Sequence, residues 1–567
     1  MTGENRNLIL ALALSALVLL GWSFLSEHFL PKPPKPVAEQ VATAPAAGRV
    51  GDVAAAPPAA ARAAALVVAQ APRVRIVTPR LLGSINLDGA RIDDLVLRDH
   101  RETIDPKSPP VRLFAPSGAT GAWFAGFGWA GGGAPPADSR WTASAPVLSP
   151  GKPVTLSYSN PAGVRFELTL AVDDDYLFTV TSRVVNGSAA PLALRPYGFV
   201  NRTGRGPDKN SFNVHVGPLA VLDGTLREGE IDYDKLRDDG PLRYDSTGGW
   251  LGITDKHWFA ALIPDQKARI EARFTAIAGD RYQADYLAPP VLVEPGRQFQ
   301  SVTHLYAGAK EVRPINAVRD RLGAPLFDRA ISWGWFWFIA QPIFALLQAL
   351  YGFLGNYGLA IVGLTIIVRL LLFPIANRQY ASMAKMRIFA PKMKEIQERF
   401  KDDKVRQQTE IMELYKREKI NPLAGCLPIL LQIPILYALY KTLLISTEIR
   451  HQPGLFWIRD LSAPDPLTPV NLFGLLPFTP PSFLHLGILP IILGITMWAQ
   501  FKLNPAPMDE IQKKMFSLMP WIFMFMMAPF AAGLQIYWIC NNLISILQQR
   551  LLMRKYPDPA PAPAAGK

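Results

Sequence analysis

Gly363-Leu364-Thr365-Ile366-Ile367-Val368-Arg369-Leu370-Leu371-Leu372-Phe373 places one arginine inside an apolar run that extends from about Tyr357 to Ala376. A helix of that length reaches ~30 Å at ~1.5 Å per residue, the thickness of a bilayer's hydrocarbon core. Arg369 precedes Arg378, the first charge of the following polar segment, by nine residues, which sets it ~13 Å into the span. Arginine at a span centre costs ~2.5–3.5 kcal/mol on insertion scales, so it faces a partner or a water-filled recess. The other reading, a side chain that snorkels to a locally thinned surface, stays open at this point.

Working outward, the same apolar texture recurs. Leu423 to Ile445, Leu484 to Phe501, Met515 to Phe530 and Ala532 to Leu552 repeat it, and Leu8 to Leu25 carries it at the N-terminus. Six spans are predicted. A hydrophobic content of 49% and a mean hydropathy of +0.13 fit that reading better than a soluble globule. The N-terminal run could also be a signal peptide, but no small-x-small site follows it directly, so an uncleaved anchor is expected.

The net charge of +13 suggests nucleic acid, an anionic surface or a cytoplasmic partner, and its location decides among them. About a dozen Lys and Arg lie between Arg378 and Lys419, and more cluster at Lys502, Lys513, Lys514, Arg550, Arg554 and Lys555, whereas Ser446 to Phe483 holds only Arg450 and Arg459. The basic segments therefore face the cytoplasm, both termini are cytoplasmic, and residues of about 31–354 are periplasmic. The charge is topological, and no nucleic-acid substrate is expected.

The chain divides accordingly. An N-terminal transmembrane anchor (1–30) and a Pro/Ala-rich linker (31–72) lead into a periplasmic β-sandwich domain (73–312). Its short alternating runs, such as Val154 to Tyr158 and Val164 to Leu170, and its frequent turn residues read as antiparallel strands. A connecting and interfacial amphipathic helix follows (313–354), opened by Trp333, Trp335 and Trp337. A buried core helix is the alternative there. Then come a transmembrane helix (355–377), a cytoplasmic helical hairpin (378–421), a transmembrane helix (422–446), a periplasmic loop (447–483), a transmembrane helix (484–503), a cytoplasmic loop (504–514), transmembrane helices at 515–531 and 532–552, and a short tail (553–567). In the hairpin, Met393, Ile396 and Phe400 form one stripe and Val405, Met412 and Tyr415 a second, with Pro391 expected to start or kink the first helix and Asp402-Asp403 to cap the next.

Chemistry-bearing patterns point to binding, not catalysis. Thr365, Gln432, Gln535, Asn541 and Asn542 interrupt the spans near Arg369, whereas no carboxylate lies in the span cores. A proton relay or cation path needs such carboxylates, so a transporter or channel is the weaker alternative. A hydrated positive recess would instead attract acidic side chains. Met515, Met519, Met524, Met526 and Met527 give one short span an adaptable surface suited to varied apolar partners, with plain lipid contact as the other reading. The seven histidines are scattered; His215, His257 and His304 read as core or surface residues, and Asp173-Asp174-Asp175 as a turn. Cys426 and Cys540 lack metal or disulfide spacing. No catalytic residue, metal or cofactor is expected, which leaves a membrane-anchored carbohydrate-active enzyme as a third, unsupported possibility.

Trp335-Phe336-Trp337-Phe338-Ile339-Ala340-Gln341-Pro342, Gly355-Asn356, Ile367-Val368-Arg369, Tyr380-Ala381-Ser382-Met383-Ala384-Lys385-Met386, Asn421-Pro422-Leu423-Ala424-Gly425-Cys426-Leu427-Pro428 with Gln432 and Pro434, and the closing Gln548-Gln549 closely resemble the YidC insertases. The resemblance implies a polytopic α-helical membrane protein, five of its six spans forming an insertase core, with a large periplasmic antiparallel β-supersandwich. It implies a non-enzymatic insertase and chaperone for nascent membrane proteins, acting in the bilayer alone or with the Sec translocon. Arg369, Thr365, Gln432, Trp538 and Asn541 would line its hydrophilic groove. Met519, Met524 and Met527 would form a slide for the substrate. Tyr380, Met383, Lys385 and Asp402 would belong to the cytoplasmic hairpin that receives nascent chains, with signal-recognition and ribosomal partners on the cytoplasmic loops. The chain departs from the family at Phe373 and Trp538, where tyrosines are expected, and at Asn377, which is less basic.

Overall fold

The structure, a computed structural model, describes residues 63–69, 71–208, 213–401, 403–418, 427–476, 486–503 and 510–554. The expected anchor, most of the linker, Asp402, Cys426, most of the 504–514 loop and nearly all of the tail lie outside the described residues.

The β domain follows from alternation. Along Val164–Val172 and Leu177–Asn186 every second side chain is buried, and the two strands pair antiparallel with Val180 opposite Leu170. The turn between them is the acidic triplet: the Asp173 Oδ1 accepts from the backbone N–H of Asp175 (3.1 Å) and Leu177 (2.9 Å). Strands assemble into an eleven-stranded and a nine-stranded sheet. The first is centred on Leu192–Thr203, Trp123–Ala130 and Arg91–Arg101, the second on Trp258–Ile263, Gln298–Ala309 and Leu177–Asn186. All described pairings are antiparallel except a short one between Arg73–Val77 and Val147–Leu148. The sheets share one apolar core; Trp129 of one meets Phe166 of the other, ring centroids 5.1 Å apart. Two short helices, α1 (Ala64–Val68) and α2 (Tyr233–Asp238), flank them.

Helices take over at α3 (Val312–Leu322). They continue through α4 (Trp337–Leu354), α5 (Tyr357–Leu371), α6 (Phe373–Arg399), α7 (Lys404–Arg417), α8 (Leu427–Ile445), α9 (Ile488–Lys502), α10 (Glu510–Met527) and α11 (Ala532–Met553). By length and apolarity, α4 alone among the described helices is sufficient to cross a membrane, although the sequence reading lays this segment in the interface. α5 and the first turns of α6 pass the same test only as a bent pair.

That bend departs from the uninterrupted span expected over 355–377. The axes turn by 59° between Tyr357–Leu371 and Phe373–Gln379. Pro374, in the first turn of α6, has no N–H to donate, and its ring clashes with the preceding turn. Arg369 therefore occupies the last turn of α5, next to the bend. Pro391, by contrast, sits inside α6 without ending it.

The hairpin forms as α6 and α7. Asp403 caps α7 by accepting from the Arg406 N–H at 3.0 Å, and the Gln407 Nε2 donates to the Gln397 carbonyl at 2.7 Å. Met393 and Leu414 are buried. Val405 and Met412, expected on a packed stripe, are 79% and 47% exposed, because the packed side of α7 passes through Leu414 and the half-buried Tyr415.

The β domain is bonded to one end of the helical region. The Val312 N–H donates to the Glu448 Oε1 (2.8 Å), the Thr447 hydroxyl to the Lys310 carbonyl (3.3 Å), and the Arg450 guanidinium to the carbonyls of Arg101 (2.9 Å) and Glu102 (3.1 Å). Lys310 is buried at this junction, and the loss of water around its ammonium pushes its pKa down to about 8.

Candidate functional site in the helical core

α11 carries an unusual burden for an apolar helix: Gln535, Asn541, Asn542, Ser545, Gln548 and Gln549 are all buried. An amide buried without a partner costs ~1–3 kcal/mol, so each of these needs one. Their spacing aims them at different neighbours. Asn541 and Ser545, four apart and thus one above the other, face α5. The Arg369 Nε donates to the Asn541 Oδ1 at 2.7 Å, and its Nη2 to the Asn541 carbonyl at 3.2 Å and to the Ser545 Oγ at 2.5 Å. On the adjacent face, the Asn542 Nδ2 donates to the Thr496 hydroxyl of α9 at 3.2 Å, and the Gln549 Nε2 to the Leu503 carbonyl at 2.6 Å. Toward α8, the Gln432 Nε2 donates to the Tyr537 hydroxyl at 2.8 Å. At the head of the helix the Gln535 Nε2 donates to the carbonyls of Met527 and Phe530.

The electrostatic consequence is specific. Three acceptors of Arg369 are the neutral oxygens of Asn541 and Ser545, and α5, α8, α9 and α11 contain no Asp or Glu. These oxygens orient the guanidinium without cancelling its charge. A carboxylate arriving at about 4 Å would gain up to ~4 kcal/mol at an effective dielectric near 20, less its own desolvation.

Of the residues singled out from sequence, Arg369 and Asn541 meet directly, and Gln432 reaches the same helix one position from Trp538. Trp538 itself is half-buried and stands edge-on to Phe523 of α10, centroids 4.5 Å apart. Thr365 is fully buried, and its hydroxyl returns to the Ile361 carbonyl of its own helix at 2.7 Å. Met524 and Met527 are buried and Met519 is half-buried, while the exposed face of α10 carries Leu518, Trp521, Ile522, Phe525 and Met526. Tyr380, Met383 and Lys385 fall on α6, and Asp402 lies outside the described residues. Sequence reasoning missed Tyr537 and Ser545. Ser545 was signalled by its four-residue spacing from Asn541; Tyr537 looked like one more aromatic of an apolar span. His257, read as a core or surface residue, is buried, and its Nδ1 has no hydrogen-bond partner.

A large β-sandwich joined to a set of apolar helices, one of which carries buried amides and holds an arginine, is the class of protein that the structure defines. Comparison with known proteins makes the class particular. Residues 73–346 match the family model described as YidC periplasmic domain, and residues 349–559 the one described as 60Kd inner membrane protein. The membrane protein insertase YidC of Zymomonas mobilis is 45% identical over 98% of this chain and 96% of its own length, and that of Rhizobium meliloti 45% over 97% and 96%. The chain belongs to the YidC family of inner-membrane proteins. A crystal structure of an active YidC insertase with its first transmembrane domain resolved aligns over 84% of this chain and 92% of its own, at 16% identity and a TM-score of 0.36.

Proposed function

We propose that this chain is a non-enzymatic insertase and chaperone that moves nascent inner-membrane proteins into the bilayer through a polar recess at Arg369. The observation that carries the mechanism is the hold of Asn541 and Ser545 on that guanidinium, in helices without a carboxylate. In this reading six spans place both termini in the cytoplasm and the β domain in the periplasm. A substrate's short polar, often acidic segment pairs with Arg369 while its apolar segment moves out into lipid past α10. Partitioning supplies the drive, at ~25 cal/mol per Å² of apolar surface. Tyr537 joins Gln432, Trp538 and Asn541 as a lining residue, and the α6–α7 hairpin with Tyr380, Met383, Lys385 and Asp402 receives the chain. Ribosome and signal-recognition contacts fall to the cytoplasmic loops, and the Sec translocon is the expected membrane partner.

A photocrosslinker at Gln432 or Trp538 tests this directly. Stalled nascent chains of a small single-span membrane protein should crosslink at both positions, and not at Phe525 on the outer face of α10 before the apolar segment has emerged. Absence of crosslinks at Gln432 and Trp538 would reject the recess.

A further inference from the structure

Residues 449–476 close one end of the helical core. Three helices start on this segment: the Asn356 Nδ2, at the cap of α5, donates to the Gly454 carbonyl (3.2 Å), the Leu489 N–H of α9 donates to the Asp465 Oδ2 (2.7 Å), and the Ala532 and Gly533 N–H of α11 donate to the carbonyls of Ala463 (2.8 Å) and Leu461 (3.0 Å). First-turn N–H groups have no partner within their own helix, so the inner face of the segment is committed to satisfying them. Its polar side chains also turn inward. Asp465 accepts from the Trp457 indole at 2.8 Å, Asp460 accepts from the Ser462 hydroxyl at 2.6 Å, and Arg450 reaches the β domain.

What remains outside is apolar. Phe456 is 92% and Leu475 82% exposed, with Val470, Leu472, Phe473 and Leu476 between 41% and 52%. Among the described residues of the segment, Arg459 is the only exposed charge. Phe456, Leu472 and Phe473 moreover hold φ of 56°, 50° and 59°, a left-handed conformation that bulky side chains rarely adopt. Exposed aromatic and leucine side chains on strained backbone are poorly suited to water. They continue the outer surface of the helices they cap, where Leu359 of α5 and Ile495 of α9 are also exposed, and one cationic residue among apolar ones matches the boundary between phosphate and acyl chains.

We infer that residues 449–476 form a lipid-contacting rim, with Phe456 and the Leu472 to Leu476 turn seated in the headgroup–acyl boundary of the leaflet beside the β domain and Arg459 on lipid phosphate. The inference rests on the reading that the helices below it cross the membrane. The test uses the full chain with Cys426 and Cys540 replaced by alanine, one copy per nanodisc of phosphatidylethanolamine and phosphatidylglycerol. Nitroxides at Phe456→Cys or Leu475→Cys are compared with references at Lys267→Cys, exposed on the β domain, and Leu370→Cys, exposed on α5. Collision with oxygen relative to a water-soluble nickel chelate should be several-fold higher at both rim sites than at Lys267→Cys, and somewhat lower than at Leu370→Cys. A ratio at Phe456→Cys and Leu475→Cys equal to that at Lys267→Cys, with a lipid signature retained at Leu370→Cys, overturns the rim alone. An aqueous signature at Leu370→Cys overturns the spanning reading itself. Protection of the rim sites from both reagents would mean that protein covers them, which also overturns the inference.

Discussion

The two halves of the chain hold arginine in opposite ways. In the β domain Arg202 meets Asp255 at 2.8 Å, Arg273 meets Asp285 at 3.2 Å, and Arg73 meets Asp93. In the helical core Arg369 is met by an amide, a carbonyl and a hydroxyl. A guanidinium on a carboxylate is electrically closed, and its role ends in the fold. The oxygens of Asn541 and Ser545 position a guanidinium without cancelling its charge, which a visiting anion can answer. Under the proposed function, the same residue type serves architecture in one region and recognition in the other.

The largest effect should come from opening a closed pair. Asp255→Ala leaves Arg202 buried without its counter-charge, and removing one partner of a buried pair costs ~3–5 kcal/mol. Thermal unfolding of the detergent-solubilised protein should show that loss. Unchanged unfolding would mean that water or a second group screens Arg202, and the contrast between the regions would weaken.

Lys310 extends the contrast to the junction of the two regions. Burial holds its folded-state pKa at about 8, below the ordinary 10.5. Between those values the unfolded chain binds the proton and the folded chain does not, so stability rises with pH across the window. The gain totals about 3 kcal/mol at ~1.4 kcal/mol per unit, and below the window the whole penalty is present. Denaturation midpoints measured from pH 7 to 10.5 should climb, and Lys310→Met should remove most of the slope. A slope that survives the substitution would place the titration elsewhere.

α10 sharpens the comparison on its apolar side. Met524 is buried against α9, where a Cβ on Gly494 would lie 3.2 Å from it, whereas Met526 is half exposed. Met524→Ala should cost about 2 kcal/mol through the cavity it leaves, and Met526→Ala under about 0.5 kcal/mol. If insertion depends on the outer methionine, Met526→Ala should slow substrate release while unfolding stays unchanged. Equal stability losses would contradict the assigned faces.

These features differ in how far the sequence announces them. Local alternation gives the strands of residues 164–186, and the acidic triplet gives their turn, because both depend on near neighbours. The Arg202–Asp255 pair spans 53 positions and has no local signature. In the membrane half, apolar runs locate α8 to α11, and the arginine and asparagine that meet there were both visible as polar interruptions. What hydropathy could not give was direction. Thr365 and Ser545 both return a hydroxyl hydrogen bond to a carbonyl of their own helix, yet Ser545 also accepts from the guanidinium. The bend after Leu371 was written in Pro374 but lost in an average over twenty apolar residues. The outward turn of Val405 and Met412 depends on what the short hairpin has to pack against, which no periodicity encodes.

The smallest change in stability should accompany the largest change in function. Arg369→Met abolishes hydrogen bonds worth ~1.5–3 kcal/mol for a charged donor but also relieves a comparable cost of holding that charge away from water, so the folded state should shift by about 1 kcal/mol or less. Insertion of substrates with acidic leading segments should fall, and Arg369→Lys should restore part of it, since an ammonium keeps the charge while losing the fork that reaches both Asn541 and Ser545. Substrates with neutral leading segments serve as the control. If they fail equally in Arg369→Met, the charge is not what the recess offers, and the hydrogen-bonded amides of α11 alone would have to account for its passage of polar chain. If unfolding shifts as far as it does for Asp255→Ala, Arg369 is a structural residue after all, and the contrast between the two halves disappears.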